Sequence, residues 1–497
     1  MAKRLIEKFG IETLDIIEHQ HQRLREVEGI GEKKLGMIRA AWQEQREVRD
    51  VMLFLQSHDV SSAYASKIYR QYGKTSIAIV KENPYRLATD IFGIGFKTAD
   101  SIAAKLGIPK DSPMRAEAGI LYVLQQFALN GHVYYPYDGL IEECREILNI
   151  SGEIIKQAIA SIVAEKRIVI DAEAVYLAEF YVAEKGIAEN LRELNKTQRR
   201  LFMIDRDKAL ETVQKNLKIT LAENQAKAIS ESLDAKVMVI TGGPGTGKTT
   251  IIKAIITLHA LSGMSILLAA PTGRAAKRMA EATGHEAKTI HRLLEYSPKN
   301  DGGFKRTEQN PLNADLIVID ETSMVDTVLM YHLLKAVPKQ TTLILVGDID
   351  QLPSVGAGNV LRDIIDSGQV PCIRLNQIFR QAQKSLIIVN AHQINRGDMP
   401  ITQAEKEADQ DFFFIQMEEP EKVLEKILEL CAKKVPEKFG FDAVNDIQVL
   451  TPMHRGVVGA SNMNVELQKH LNNSTDELHR GGRVFKARDK VMQIRNN

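Results

Sequence analysis

The chain has 497 residues, 44% hydrophobic and 26% charged, with a formal net charge of +1 and three cysteines. That length accommodates about three domains, each able to bury a core, and the near-neutral charge excludes a globally basic nucleic-acid binder, leaving any such contact to local clusters. Cys144, Cys372 and Cys431 stand far apart in no metal-ligand spacing, no apolar run has the length of a membrane span and no leader pattern is seen, so the expectation is a cytoplasmic protein with reduced thiols.

Residues 1–110 read as helical, punctuated by two related turns. One is Val27-Glu28-Gly29-Ile30-Gly31-Glu32-Lys33-Lys34, the other Ile91-Phe92-Gly93-Ile94-Gly95-Phe96-Lys97. A glycine turn of this kind exposes backbone N–H groups at the start of its second helix, where an anion is welcome. Lys33, Lys34 and Lys97 follow directly. One copy would be an ordinary helical hairpin. Two copies of the Gly-Ile-Gly core predict a tandem helix-hairpin-helix domain in which Gly29, Gly31, Gly93, Gly95 and Lys97 hold DNA phosphates without reading sequence.

Residues 111–210 read as a smaller helical unit and linker. Ser151 is placed to cap a helix running to about Glu165. Strand-like runs at 167–170 and 174–177 flank a short turn, so the unit is winged-helix-like, with a plain spacer as the alternative. Residues 181–210 read as a polar helical linker.

From residue 211 the pattern turns α/β. Apolar runs at 237–241, 265–270, 315–320 and 341–346 alternate with helices, the signature of a parallel sheet covered on both faces. A first motor domain is expected over 211–370 and a second α/β unit over 371–497, with an amphipathic helix at 421–435 and a strand at 446–451. The helical pattern begins at once after Met1, and Lys490-Val491-Met492-Gln493-Ile494 reads as a strand without a closing element. The expectation is a fragment of a longer protein.

The strongest motif is Gly242-Gly243-Pro244-Gly245-Thr246-Gly247-Lys248-Thr249, directly after Val237-Met238-Val239-Ile240. A strand entering a glycine-rich loop that ends in Lys-Thr at a helix start is a phosphate cradle. Gly243 to Thr250 are expected to surround the phosphates, with Lys248 on the β/γ oxygens and the Thr249 hydroxyl on Mg²⁺. Leu316-Ile317-Val318-Ile319 ends in Asp320 and Glu321. At the carboxyl end of a parallel strand these acids can serve the nucleotide, Asp320 holding Mg²⁺ through water and Glu321 deprotonating the attacking water. Gln351, in Gly347-Asp348-Ile349-Asp350-Gln351-Leu352-Pro353, is placed to sense the γ-phosphate. Gln225 precedes the first strand, where its amide can bond the adenine edge.

This set resembles superfamily 1 helicases of the stand-alone RecD-like type. The matching elements are Gln225, the loop 242–249, Pro271-Thr272-Gly273-Arg274, Thr289-Ile290-His291, Asp320-Glu321, Gly347–Pro353 and Leu375-Asn376-Gln377-Ile378-Phe379-Arg380, with the tandem hairpins upstream. The resemblance covers essentially the whole chain. It implies an ATP- and Mg²⁺-dependent DNA helicase moving 5′-to-3′ on single-stranded DNA, active at single/double-strand junctions in repair or recombination. It further implies that Arg380 is an arginine finger of the second RecA-like domain. Pro271, Thr272, Gly273, Arg274 and His291 become strand contacts of the first domain, Thr451 and Arg455 of the second. Relatives carry a duplex-splitting hairpin, for which 295–312 is the candidate here, with an exposed loop as the alternative. Further family motifs are absent before Asn497, so the chain is expected to bind nucleotide weakly and turn it over poorly. A nucleotide-switched DNA scaffold and an RNA helicase of the same superfamily are the rival readings.

Overall fold

In both glycine turns the first glycine takes a left-handed conformation, φ 88° at Gly29 and 89° at Gly93, which a β-carbon disfavours. The first turn joins the 3₁₀ helix His21–Glu26 to the helix Glu32–Ser57, and the second joins Arg86–Asp90 to Phe96–Lys105. The computed structural model describes residues 2–492 except Glu28, Asp59, Phe92 and the segments 198–205, 298–302, 378–383 and 404–409. The chain separates into two compact units, Met1–Ala382 and Gln383–Asn497.

The second hairpin does not end its core at residue 110. Phe96, Ala99 and Ala103 pack with Ile120, Leu140, Cys144, Ile155 and Val175 from the winged part, so the expected boundary runs through one apolar cluster. An ionic knot reinforces this union. The Arg115 guanidinium donates to both Asp100 oxygens (2.8 and 3.1 Å) and to the Leu148 carbonyl (2.8 Å), while the Tyr85 hydroxyl donates to Asp100 (2.8 Å). Burial, with the Asp100 carboxylate beside it, pushes the Tyr85 phenol well above its usual range.

The winged part holds the helices Pro113–Leu129, Tyr137–Leu148 and Gly152–Ala164. Its antiparallel sheet is β1 (Tyr134–Pro136), β2 (Ile168–Asp171) and β3 (Ala174–Leu177), in the order β1-β3-β2. β1 was not foreseen, being too short to show an alternating pattern. Ser151 occupies the cap position, yet its side chain makes no capping bond. No single described helix is long and apolar enough to cross a membrane.

The helix Ala178–Lys196 corrects the expected polar linker. It buries Ile187, Leu191 and Leu194 in the core of the α/β sheet, a stripe at 3–4-residue spacing on an otherwise polar helix.

That sheet consists of β4 (Val237–Gly242), β5 (Ile266–Ala270), β6 (Ala287–Thr289), β9 (Leu316–Ile319), β10 (Thr342–Gly347) and β11 (Cys372–Leu375). Between β6 and β9 lies a small hairpin of β7 (Tyr296–Ser297) and β8 (Gly303–Phe304). The six strands run parallel in the order β11-β4-β10-β9-β5-β6. Alternate residues feed opposite faces. Val237, Val239, Ile317, Ile319, Leu343 and Leu345 join one core, and Met238, Ile240, Leu316, Val318, Ile344 and Val346 the other. This explains why the strands read as continuous apolar runs.

β11 moves the expected start of the second unit. Ile373 and Leu375 are buried against β4, so residues 372–375 complete the first sheet instead of opening another. In the second unit, the described helices are Leu386–Arg396, Pro420–Glu429, Val435–Phe439 and Ala460–Leu471, with Leu430–Lys434 forming a π turn in the expected amphipathic stretch. The only described strands of this unit are the hairpin β12 (Glu477–Arg480) and β13 (Arg483–Lys486). The strand expected at 446–451 does not form: the segment is irregular and Leu450 is 89% exposed. An apolar run becomes a parallel strand only with neighbours to bond and faces to bury.

Candidate nucleotide site and strand contacts

The registers bring Leu375, Gly242, Gly347, Ile319, Ala270 and Thr289 to one edge of the sheet, at the carboxyl ends of its strands. Apart from Gln225, on the helix before β4, the expected site segments of the first motor domain leave from that edge, the crevice where parallel sheets bind ligands.

The loop after β4 turns through Gly245 (φ 74°) and Gly247 (φ 85°), and Gly247 caps the helix Lys248–Leu261 without a side chain. Gly242 admits no β-carbon, which would meet Thr246 Oγ1 at 2.7 Å and Leu375 Cβ at 2.8 Å. Thr246 is buried and its hydroxyl donates to the Gly243 carbonyl (2.8 Å). Lys248 Nζ donates back to the carbonyls of Gly242 and Gly243, which holds the ammonium over the loop. Thr249 is exposed.

Gln225 lies against the phosphate loop. It is 2% exposed, and both ends of its carboxamide are engaged. Its Oε1 accepts from Ala222 N–H and its Nε2 donates to the Thr246 carbonyl (both 3.0 Å), so it braces the phosphate loop. The carboxamide keeps a second N–H and a second lone pair beyond these two bonds, which are what a base edge would have to use.

Glu321 sits in the left-handed region (φ 52°), a strained state for a non-glycine residue of the kind held at functional sites. Its Oε2 is buried with no hydrogen-bond partner in the protein. Asp320 accepts from Glu321 N–H (2.9 Å). Burial raises the Asp320 carboxyl above its ordinary value, and Glu321 adds to this, while Lys248 and Arg278 pull it back. A desolvated carboxylate facing a lysine, an orphaned carboxylate oxygen and an exposed threonine at the helix start fit a hydrated Mg²⁺ on a nucleotide. No group of three or more His, Cys, Asp or Glu side chains suited to a metal occurs among the described residues.

The loop after β10 is tied to the same edge. Ile349 N–H donates to Thr241 Oγ1 (3.3 Å), and the buried Asp348 accepts from the Gln351 side chain (3.1 Å). Gln351 is thereby held at the edge, itself exposed. Arg380 lies outside the described residues.

Of the expected strand contacts, Thr272 caps the helix Gly273–Thr283 through Ala275 N–H (3.2 Å), which occupies its hydroxyl. Gly273 and Arg274 are exposed, and Pro271 is half-buried. His291 is exposed beside Tyr296 and Phe304, with ring centroids 5.7 Å away in each case. β7 and β8 pair as a hairpin within 295–312, and residues 298–302 between them lie outside the described residues. In the second unit the Thr451 hydroxyl donates to the Val458 carbonyl (2.7 Å), folding the loop 451–459 onto the following helix and leaving Arg455 exposed. At the amino end, Gly31 and Gly95 cap their helices with no side-chain acceptor, and Lys97 is exposed. The first-turn amides at both hairpins therefore lack a side-chain cap, as a phosphate site needs.

The family profile described as "ATP-dependent RecD2 DNA helicase HHH domain" matches residues 44–134, and that described as "AAA domain" matches residues 225–357. An ATP-dependent RecD2 DNA helicase of Deinococcus radiodurans is 32% identical over 100% of this chain and 68% of its own length. This chain belongs to the RecD2 helicase family. The family is one of ATP-dependent DNA helicases, and the P-loop sheet behind a helix-hairpin-helix region is its architecture. The RecD subunit of the RecBCD enzyme of Mycolicibacterium smegmatis is 34% identical over 51% of this chain and 51% of its own. Among solved structures, the Pif1 helicase of Candida albicans aligns over 37% of this chain and 45% of its own at 24% identity and TM-score 0.30, a likeness confined to part of each.

Sequence reasoning missed Arg278, whose charge reaches Asp320 from the helix that Thr272 caps. It also missed Thr241, whose hydroxyl accepts from the loop after β10, and, while expecting Thr246 at the phosphates, did not show that its hydroxyl staples the loop. The only signal for the threonines is a polar residue at the end of an apolar strand and another inside the glycine loop.

Proposed function

We propose that this chain hydrolyses ATP with Mg²⁺ to move 5′-to-3′ along single-stranded DNA and open duplexes at single/double-strand junctions, in the cytoplasm and in the service of repair or recombination. The observation that carries this reading is Glu321 Oε2, a buried carboxylate oxygen without a partner, at the sheet edge that also presents Lys248. An unpaired buried acceptor is costly unless a ligand uses it.

In this reading the loop amides and Lys248 hold the β- and γ-phosphates. Glu321 accepts the proton of the attacking water, and Gln351 senses the γ-phosphate. Arg380 adds positive charge as it accumulates on the transferring group. Bound Mg²⁺, with Thr249 and Asp320 as its holders, supplies charge neutralisation. Arg274, His291, Arg455 and the loops around Thr272 and Thr451 grip the strand, and Gly29, Gly31, Gly93, Gly95 and Lys97 grip phosphates ahead of it. The direction of travel is supported by family resemblance alone.

Strand displacement on 5′- and 3′-tailed duplexes tests the proposal. Opening of the 5′-tailed substrate with ATP is expected. Opening of the 3′-tailed substrate alone overturns the direction. Hydrolysis indifferent to DNA, with no displacement, points to a nucleotide-switched scaffold, and greater stimulation by single-stranded RNA than by DNA to an RNA helicase.

A further inference from the structure

The loop that carries Gln351 does not end at the nucleotide edge. It continues to Asn359 and there meets the winged part of the same compact unit. Gly358 N–H donates to the Gly131 carbonyl (2.9 Å), a direct backbone bond to the turn before β1. Gly358 has φ 100°, and a β-carbon there would overlap Thr327 and lie 3.4 Å from Val133. On its other side the loop is pinned to the helix Thr327–Ala336. Thr327 N–H donates to the Ala357 carbonyl (3.0 Å), and Gly356 packs on Asp326, which caps that helix through Leu329 N–H (2.8 Å).

The helix Thr327–Ala336 is in turn seated on the helix Ala178–Lys196, which follows β3 of the winged part. Its Tyr331 ring fills a notch at Gly186 of the helix Ala178–Lys196, where any β-carbon would overlap the ring. Ile187, Leu191, Leu329, Met330 and Leu333 share one core across this seat. The winged part is itself welded to the second hairpin through Arg115 and Asp100. A continuous path of packed elements, joined by side chains and by two backbone bonds, thus runs from the Gly93 turn to the loop beside the phosphates.

We propose that the amino-terminal module positions the nucleotide-sensing loop: Gly358 bonded to Gly131, and Tyr331 seated on Gly186, hold residues 347–359, and with them Gln351, in register with the DNA that the hairpins grip. Gly186, Gly358 and Tyr331 are positioning residues, since none reaches the nucleotide edge. Close-packed elements of this kind transmit displacement because they shift as units and do not deform smoothly. The role rests on the helicase activity proposed above, in which the hairpins bear on DNA while the loop reports the γ-phosphate.

Gly186→Ala tests it, because alanine favours a helix interior over glycine by about 1 kcal/mol and the fold is kept. Hydrogen exchange of amides 354–359 in the full chain without nucleotide is expected to accelerate about five-fold, with amides 243–249 unchanged. Stimulation of ATP hydrolysis by forked DNA is expected to fall about five-fold at an unaltered KM for ATP. Tyr331→Ala, which empties the notch from the other side, is expected to loosen 354–359 in the same way, and Tyr331→Phe, which keeps the ring in the notch, to leave both readouts unchanged. Unchanged exchange at 354–359 or intact stimulation in Gly186→Ala, or loss of both readouts in Tyr331→Phe, overturns the proposal. If forked DNA does not stimulate the unaltered chain, the helicase reading falls, while the exchange measurement still decides whether the module holds the loop.

Discussion

The phosphate loop and the amino-terminal hairpins are made of the same material, glycine turns that open a helix without a side-chain cap, and they are held in opposite ways. The loop 242–249 is clamped from several directions: Gln225 from the preceding helix, Thr241 through β10, and Leu375 of β11 against Gly242. The hairpin turns are held locally. Ile30 N–H bonds Val27, Ile94 N–H bonds Ile91, Lys34 donates to the Gly29 carbonyl (2.9 Å), and Gly93 lies open to solvent apart from Lys67. Cleaving a phosphate demands preorganised charge in a dry recess. Holding a DNA backbone demands only exposed amides and cations. The two sites differ in enclosure because their tasks differ in the geometric precision they require.

Lys248→Ala should break that comparison most sharply. Hydrolysis is expected to fall on the order of a thousandfold, as when a preorganised transition-state charge is removed. Retention of single-strand binding within about two-fold, measured by fluorescence anisotropy, would show that the hairpins and strand contacts need nothing from the loop. Gly93→Ala is the converse change. The left-handed φ of 89° and the Lys67 ammonium 3.1 Å from the new β-carbon make it strained, at about 1–2 kcal/mol. Duplex DNA affinity should drop several-fold, with a shallower salt dependence, while hydrolysis without DNA stays level. The smallest effect concerns Asp320. Burial raises its carboxyl, so its contribution to stability is complete below the unfolded-state value and is lost as pH rises through the folded-state value. Asp320→Asn removes that loss. Thermal melts without nucleotide should show the variant gaining on the parent protein as pH climbs through the carboxylate range, with the two converging in acid. A parallel pH response in both proteins would mean that burial of Asp320 carries no stability cost.

The phosphate loop, the acid pair and the glycine turns were legible because each is a local string whose backbone behaviour depends on few outside contacts. The strands of the first sheet were legible because both faces are buried, which makes their apolar runs unbroken. The same cue failed at 446–451, where no described neighbour turns an apolar run into a strand, and at 372–375, where the run belongs to the sheet that precedes it. The helix 178–196 was misjudged as a linker because its buried stripe is narrow and its remaining surface polar. Gln225 and Thr272 were recognised as residues that matter, but the partners of their side chains depend on what lies opposite.

The amino-acid sequence by itself determined the chemistry: glycines where backbone must approach phosphate, a lysine and two acids at strand ends, and a repeated turn with cations beyond it. Tertiary structure alone decided which sheet owns β11, that the hairpin and winged parts share one core, and that the sensing loop is bonded to the turn at Gly131. The reason is range. A φ angle or a charge at a strand end is a property of a few neighbouring residues, whereas a shared core or a backbone bond between distant turns exists only after packing has selected, among many compatible arrangements, the one that buries these faces together.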